Sequence, residues 1–209
     1  MTDTFPVGGN QGRQFLQGII RVTEFPSLAL DRSSRPSRGT LYVAWNDGGR
    51  VTIPDFESLS GVYSFSDALL VKSTDGGATF GPATQVNRGA STDFTGQYMP
   101  AVGVDKNGDV GVCYYDRRHD AANFLIDRRC ARSSDGGDHW KSLQVNERSS
   151  PSTEFQDFEV AYGYQGDYDT LTGDFLNHHK GLLGAYADNS LGSQDVRSNR
   201  PPESAGDRH

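Results

Sequence analysis

Residues 73–80 read STDGGATF and residues 133–140 read SSDGGDHW, so one eight-residue phrase occurs twice in the chain. Self-similarity at a fixed period constrains a fold more than any single motif, because each repeat must bury its apolar face against its neighbours. The repetition extends well beyond the phrase. Pro26-Ser-Leu-Ala-Leu-Asp31 returns as Pro100-Ala-Val-Gly-Val-Asp105, each followed by a glycine turn at Gly39 and Gly108. Leu-Tyr-Val-Ala-Trp45-Asn-Asp47 returns as Val-Gly-Val-Cys-Tyr114-Tyr-Asp116 and again as Leu-Leu-Gly-Ala-Tyr186-Ala-Asp188, at spacings of 69 and 72 residues. Asp67-Ala-Leu-Leu-Val-Lys72 and Asp127-Arg-Arg-Cys-Ala-Arg132 then lead into the two phrases, and both phrases lead to Gln-Val-Asn, at 85–87 and 144–146.

The order within a unit is strand, glycine turn, strand, loop, strand, SxDGG turn, strand. The strands are short and rich in alternating Val, Leu, Ala and aromatic residues. The 25 glycines of the 209 residues agree with many tight turns rather than long helices. Four-stranded antiparallel sheets repeated at this interval read as blades of a β-propeller, an all-β fold. The eight-residue phrase then lies in the hairpin between the third and fourth strands. Gly76-Gly77 and Gly136-Gly137 supply the positive φ that such a turn needs. Asp75 and Asp135 are placed to accept turn N–H groups, with Ser73 and Ser133 holding the other side. Phe80 and Trp140 are expected to enter the core between blades. The phrase reads as structure, not as a catalytic motif.

The expected organisation is a loose N-terminal segment over 1–18, blades over 19–88, 97–147 and 157–198, and a polar, disordered tail over 199–209. The third unit stops before any SxDGG turn, so two and a half to three blades are present. A closed ring takes roughly four to eight blades. The chain is therefore either part of a longer protein or one whose copies associate to complete the ring, since open sheet edges otherwise invite aggregation. Residues 48–66 lengthen the loop between the second and third strands of the first unit, and long loops often carry function.

The net charge of −7 argues against nucleic acid or an anionic membrane surface as partner. No run of about 18 apolar residues exists to span a membrane, and the start, MTDTFPVGGNQG, lacks the regions of a signal peptide. The two cysteines, Cys113 and Cys130, fall on strands joined by the polar hairpin 116–124, which allows either a cross-strand disulfide or two buried thiols. Neither they nor the adjacent His178 and His179 have metal-ligand spacing, and no cofactor is expected.

S-x-D-x-G-x-x-[WF] within a four-stranded unit resembles the Asp box of the bacterial neuraminidase (BNR) repeat proteins, which include sialidases and secreted sialidase-like proteins. The pieces PSLALD, LYVAWND, QYMPAVGVD, YYDRR, QGDY and GSQDV resemble that group across roughly residues 20–197. The resemblance implies a secreted or extracytoplasmic protein acting on, or binding, a glycan or glycoconjugate. It also implies a Tyr nucleophile activated by a Glu, an Asp acid/base, and arginines on a substrate carboxylate.

Two stretches are candidates for that chemistry. Asp47, Asp116 and Asp188 occupy equivalent places after the aromatic-x-Asp strands, and Asp116 is followed by Arg117-Arg118, a carboxylate beside two guanidiniums able to grip a sugar acid. Gln165-Gly-Asp167-Tyr168 replaces the Pro-led strand of the third unit. Asp116, Asp167 and Tyr168 are thus the candidate catalytic residues, and Arg117, Arg118, Asp47 and Asp188 the candidate substrate-binding residues. The family's Arg-Ile-Pro entry corresponds here to Glu24-Phe25-Pro26, so the first arginine is absent from its place. Arg21 lies three residues early, and Glu159 is the partner considered for Tyr168. A non-catalytic propeller module that binds carbohydrate or protein is the alternative reading.

Overall fold

The computed structural model describes residues 14–16, 20–22, 25–47, 52–54, 62–64, 66–87, 95–151, 165–166, 168–173, 181–191 and 195–201. Every regular element among them is a strand. In chain order these are β1 (Gln14–Leu16), β2 (Ile20–Val22), β3 (Ser27–Leu30), β4 (Leu41–Asp47), β5 (Thr52–Pro54), β6 (Val62–Ser64), β7 (Asp67–Ser73) and β8 (Thr84–Gln85). They continue with β9 (Gln97–Val104), β10 (Val110–Asp116), β11 (Asp127–Ser133), β12 (Lys141–Gln144), β13 (Thr170–Gly173), β14 (Leu182–Asp188) and β15 (Asp195–Asn199).

Three antiparallel meanders form the blades: β3-β4-β7-β8, β9-β10-β11-β12 and β13-β14-β15. β1 pairs with β2, and the long loop of the first unit carries its own hairpin, β5 with β6. β9 packs against the first blade on one side and against β13 on the other, so the first strand of each blade is the inner one and the ring is unclosed. The third blade has three strands among the described residues.

The cross-strand registers confirm the repeat residue by residue. Ser27 opposes Ala44, Ala101 opposes Cys113, and Thr170 opposes Ala185, each three residues before the terminal aspartate. At the far end of each hairpin Asp47 faces Asp67, Asp116 faces Asp127, and Asp188 faces Asp195.

The recurrent Gln-Val-Asn now has a physical reason. Gln85 Nε2 and Asn87 Nδ2 donate to Asp67 Oδ1 at 2.8 and 2.9 Å, while Asn87 Oδ1 accepts the Ala68 amide at 2.9 Å. In the second blade Gln144 and Asn146 donate to Asp127 Oδ1 at 3.0 and 3.4 Å, and Asn146 Oδ1 accepts the Arg128 amide at 2.8 Å. The side-chain amides thus pin the outermost strand to the start of the third strand, where the ladder ends.

The two SxDGG turns are nearly superimposable in their bonding. Ser73 Oγ donates to Asp75 Oδ1 at 2.7 Å and accepts from the Gly77 amide at 2.9 Å; Ser133 does the same with Asp135 and Gly137 at 2.7 and 2.8 Å. Gly77 and Gly137 sit at φ of 92° and 93°, where a Cβ would be strained.

Tyr42, Ala44, Ala68 and Leu70 of the first blade pack against Val102, Val104, Val110, Val112 and Trp140 of the second. Between the second and third blades lie Ala101, Cys113, Cys130, Leu171 and Leu182. The side chains at Gly103 and Gly111 are absent where Leu171 and Leu182 approach, and a Cβ at Gly111 would collide with Leu182. Cys113 and Cys130 are directly opposed and form a disulfide, with Cα atoms 4.0 Å apart. One expectation is corrected. Trp140 is buried, its Nε1 donating to Gly137 O at 3.0 Å, but Phe80 is 46% exposed. Trp140 packs in the cluster it shares with Tyr42 and Leu70 of the first blade, whereas among the described residues no such cluster covers Phe80.

Candidate functional site

The inner strands begin at one end of the ring, and their starts converge on a cleft of about 410 Å³. Its walls are three equivalent segments of the repeat: Phe25-Pro26-Ser27, Met99-Pro100 and Tyr168-Asp169-Thr170. The shared register makes Pro26, Pro100 and Asp169 equivalent, so a carboxylate stands where the other two blades carry proline. The Met99-Pro100 wall is built by a bulge in β9 opposite Tyr114, between the Cys113 and Tyr115 pairings. Met99 adopts φ of 48°, uncommon for a non-glycine residue, and its amide donates to Asn46 Oδ1 at 3.2 Å. Bulges of this kind re-aim side chains beside sites and end regular pairing.

Asp169 is held from behind. Tyr115 Oη donates to Asp169 Oδ1 at 3.0 Å and accepts from the Ala187 amide at 2.9 Å. Arg128 NH1 donates to Asp169 Oδ2 at 2.8 Å. The Arg128 guanidinium lies 4.5 Å from the Tyr115 ring centroid and 5.4 Å from that of Tyr186, and its Nε has no hydrogen-bond partner among the described residues. Tyr98 stacks on Tyr115 at 5.2 Å and donates to Gln165 Oε1 at 2.8 Å, and the Arg117 guanidinium lies over its ring at 5.7 Å.

Burial pushes the Asp169 carboxyl above the ordinary carboxylate range, although Arg128 and the Tyr115 hydroxyl pull it down. Burial raises the Tyr115 hydroxyl well above its usual value, Asp169 adding to the effect, and raises Tyr98 to about 12. Both hydroxyls therefore remain protonated donors across the ordinary pH range. The Ala187 backbone amide also holds the Asp169 carboxyl down, so three protein donors fix it in place. The cleft thus offers a fixed acceptor, the Ser27 and Thr170 hydroxyl groups, and the apolar or aromatic bodies of Phe25, Met99 and Tyr168.

The residues selected from sequence separate in space. Tyr168 lines the cleft and is 89% exposed. Asp167 and Glu159 fall outside the described residues, as do the side chain of Arg21 and both His178 and His179. Asp116 is fully buried at the end of the second-blade hairpin, where Arg118 Nε donates to its Oδ2 at 2.6 Å and the Arg118 amide to its Oδ1 at 2.8 Å. Burial raises its carboxyl, and Arg118 opposes that shift. Arg117 is fully buried, turned inward over Tyr98, and donates to Asn123 O at 2.8 Å. Asp188 accepts from Ser150 Oγ at 2.7 Å and Ser190 Oγ at 2.9 Å and lies 3.2 Å from Arg197. Burial alone would raise its carboxyl, but the Ser150 and Ser190 hydrogen bonds outweigh it and the carboxyl lies below the ordinary range. Asp47, Asp116 and Asp188 therefore end three separate hairpins.

Asp169, Arg128 and Tyr115 are the site residues that the sequence pattern did not single out. For Asp169 the usable signal is its place in the repeat, two residues before the Leu171 that matches Leu28 and Val102.

No family profile matches the chain, and no curated protein matches it. Among solved structures it is similar to Zg3597, a family 117 glycoside hydrolase produced by the marine bacterium Zobellia galactanivorans. The identity is 13% and the TM-score 0.42, covering 93% of this chain and 60% of that one. The chain thus spans about 60% of the length of that structure.

Proposed function

We propose that this chain is a carbohydrate-binding part of a β-propeller, with its glycan site in the cleft at the inner-strand starts. The observation that carries the reading is Asp169, a carboxylate fixed by Arg128 and Tyr115 at the place of a repeat proline, opening onto a cleft beside the exposed Tyr168. A rigid acceptor for sugar hydroxyl groups beside aromatic and aliphatic surface is what pyranose recognition requires: few placed polar groups on an otherwise apolar wall.

The sialidase-like reading is the finer alternative, and one observation weighs against it for this cleft. Among the described residues, its lining holds no cation to meet a substrate carboxylate. Arg128 is committed to Asp169, and Arg117 to the Tyr98 side of the same cluster. The Cys113–Cys130 disulfide supports an extracytoplasmic location, because disulfides persist in oxidising compartments.

The test is retention of the chain on an immobilised panel of neutral and sialylated glycans, paired with a fluorogenic sialoside assay. Retention on neutral glycans without sialoside cleavage is expected. Sialoside cleavage would favour the finer alternative, and absence of retention on every glycan would contradict both readings.

A further inference from the structure

The two blade junctions share one frame, in which the Gln-Val-Asn clamp of one blade meets the hairpin end of the next. At the first junction the loop after β10 sends Arg118 across the gap. Its amide donates to Asp116 Oδ1 at 2.8 Å, its Nε to Asp116 Oδ2 at 2.6 Å, and its NH2 to the carbonyl of Asn87 at 2.5 Å. One guanidinium thus ties the hairpin end of the second blade to the clamp asparagine of the first.

At the second junction Ser190 stands in the place of Arg118, two residues after the hairpin-end aspartate. Its amide donates to Asp188 Oδ1 at 3.1 Å and its Oγ to Asp188 Oδ2 at 2.9 Å, so both contacts to the carboxylate are reproduced. The side chain stops there. Where the rest of Arg118 lies at the first junction, the second holds a pocket of about 350 Å³, whose lining includes Asn146, Glu147, Tyr186, Asp188, Ser190 and Arg197. The carbonyl of Asn146, the counterpart of Asn87, meets Gln144 Nε2 at 3.5 Å, which is long for a hydrogen bond. The second blade has its outer strand β12 and Arg118 still reaches Asn87, so an outer strand beside β15 would leave this place open.

The charges change in the same direction. Arg88 follows the clamp of the first blade in sequence, and Glu147 follows that of the second. Asp116 has Arg118 at 2.6 Å and Arg129 at 3.8 Å, whereas Asp188 has Arg197 at 3.2 Å and a serine in place of the other arginine. Arg148 also lines the pocket, but it is exposed and its charge is screened by solvent. We propose that this pocket binds the guanidinium group of a ligand, seated as Arg118 is at the first junction. The Asn146 carbonyl accepts one of its N–H groups, the Glu147 carboxylate supplies the countercharge, and Tyr186 forms the wall. Acceptors converging from two blades suit a planar fork of donors better than a compact ammonium. The pocket shares no lining residue with the cleft at the inner-strand starts, and its proposal does not rest on the glycan reading.

Amide chemical-shift titration of the whole chain with ethylguanidinium, ethylammonium and propionate tests this. Saturable shifts at Asn146, Glu147 and Ser190 are expected with ethylguanidinium, binding about threefold weaker or worse with ethylammonium, and no saturable shift with propionate. Ser190→Arg rebuilds the Arg118 arrangement and should abolish the ethylguanidinium shifts, while Glu147→Gln should weaken the affinity roughly threefold. Conversely, Arg118→Ser should open a matching place at the first junction, seen as new saturable shifts at Asn87. Absence of saturation by ethylguanidinium in the wild type overturns the proposal, independently of how any variant folds. So does binding that persists unchanged in Ser190→Arg. A preference for propionate would mean that Arg148 and Arg197 hold an anion instead, and also overturns it.

Discussion

Arg128 and Asp169 meet at 2.8 Å across the junction of the second and third blades, and both are almost removed from water. Their pairing connects the interior of the propeller to the cleft, because Arg128 lies on two tyrosine rings while Asp169 lines the cleft. Asp169→Asn leaves Arg128 buried beside a neutral group, and breaking a buried pair in this way costs about 3–5 kcal/mol. Combining Asp169→Asn with Arg128→Met should recover part of that loss. Urea midpoints of the two single variants and the double variant check it: strong non-additivity is expected, and strict additivity would mean the residues are not coupled.

Tyr168 is expected to behave in the opposite manner. Its side chain is almost wholly exposed, so Tyr168→Ala should change stability by no more than about 0.5 kcal/mol. The same substitution should weaken glycan binding by roughly tenfold, or about 1.4 kcal/mol, through loss of the aromatic wall. Thermal unfolding together with calorimetric titration separates the two effects.

The SxDGG carboxylates should make stability fall in acid. Hydrogen bonds hold Asp75 below the ordinary carboxylate range, those from Thr79 first and that from Ser73 next, while the His139 amide and then Ser133 do so for Asp135. A carboxyl depressed in the folded state stabilises it above the unfolded pKa of about 3.9, and that contribution is lost as pH falls through the folded value. Asp116 and Asp169, raised by burial, act in the opposite sense. The melting-temperature gap between the wild type and a double Asp75→Asn, Asp135→Asn variant should therefore be full from about pH 5 to 7 and narrow progressively as pH falls below about 4. A gap independent of pH would contradict the assignment.

The Cys113–Cys130 disulfide closes a sequence separation of 17 residues. Loop-entropy reasoning gives such a cross-link about 3 kcal/mol, and the pair also packs against Leu171 and Leu182 of the third blade. Reductant should lower the urea midpoint of the wild type and leave a Cys113→Ala, Cys130→Ala variant unmoved. Equal midpoints for oxidised and reduced wild type would contradict the structural role.

Much of the fold was legible because its signals are local and repeated. The SxDGG turn, the Gln-Val-Asn clamp and the aromatic-x-Asp strands each close their own hydrogen bonds within one blade, so their spacing in sequence reports their spacing in space. The same hairpin symmetry allowed Cys113 and Cys130 to be opposed but left a disulfide and two buried thiols open; the register opposes them and the disulfide joins them. Phe80 escaped this logic because its burial depends on the neighbouring blade rather than on its own turn. The site was less legible for a related reason. Asp116, a candidate catalytic residue, and Asp188, a candidate substrate-binding one, stand out in sequence because they end repeated hairpins, while Asp169 is an inconspicuous acid until the register shows it standing in for Pro26 and Pro100. Arg128 and Tyr115 meet it only across a blade junction, 41 and 54 residues away in sequence, and no local pattern announces such a contact.

The central claim is the location of the glycan site, and amide chemical-shift mapping during titration with a neutral oligosaccharide tests it most directly. Saturable shifts are predicted at Ser27, Met99 and Thr170, on three different blades but around one cleft, and Tyr168→Ala should weaken the fitted affinity. Shifts gathered instead around Arg118 and Ser190, at the hairpin ends that hold Asp116 and Asp188, would contradict it.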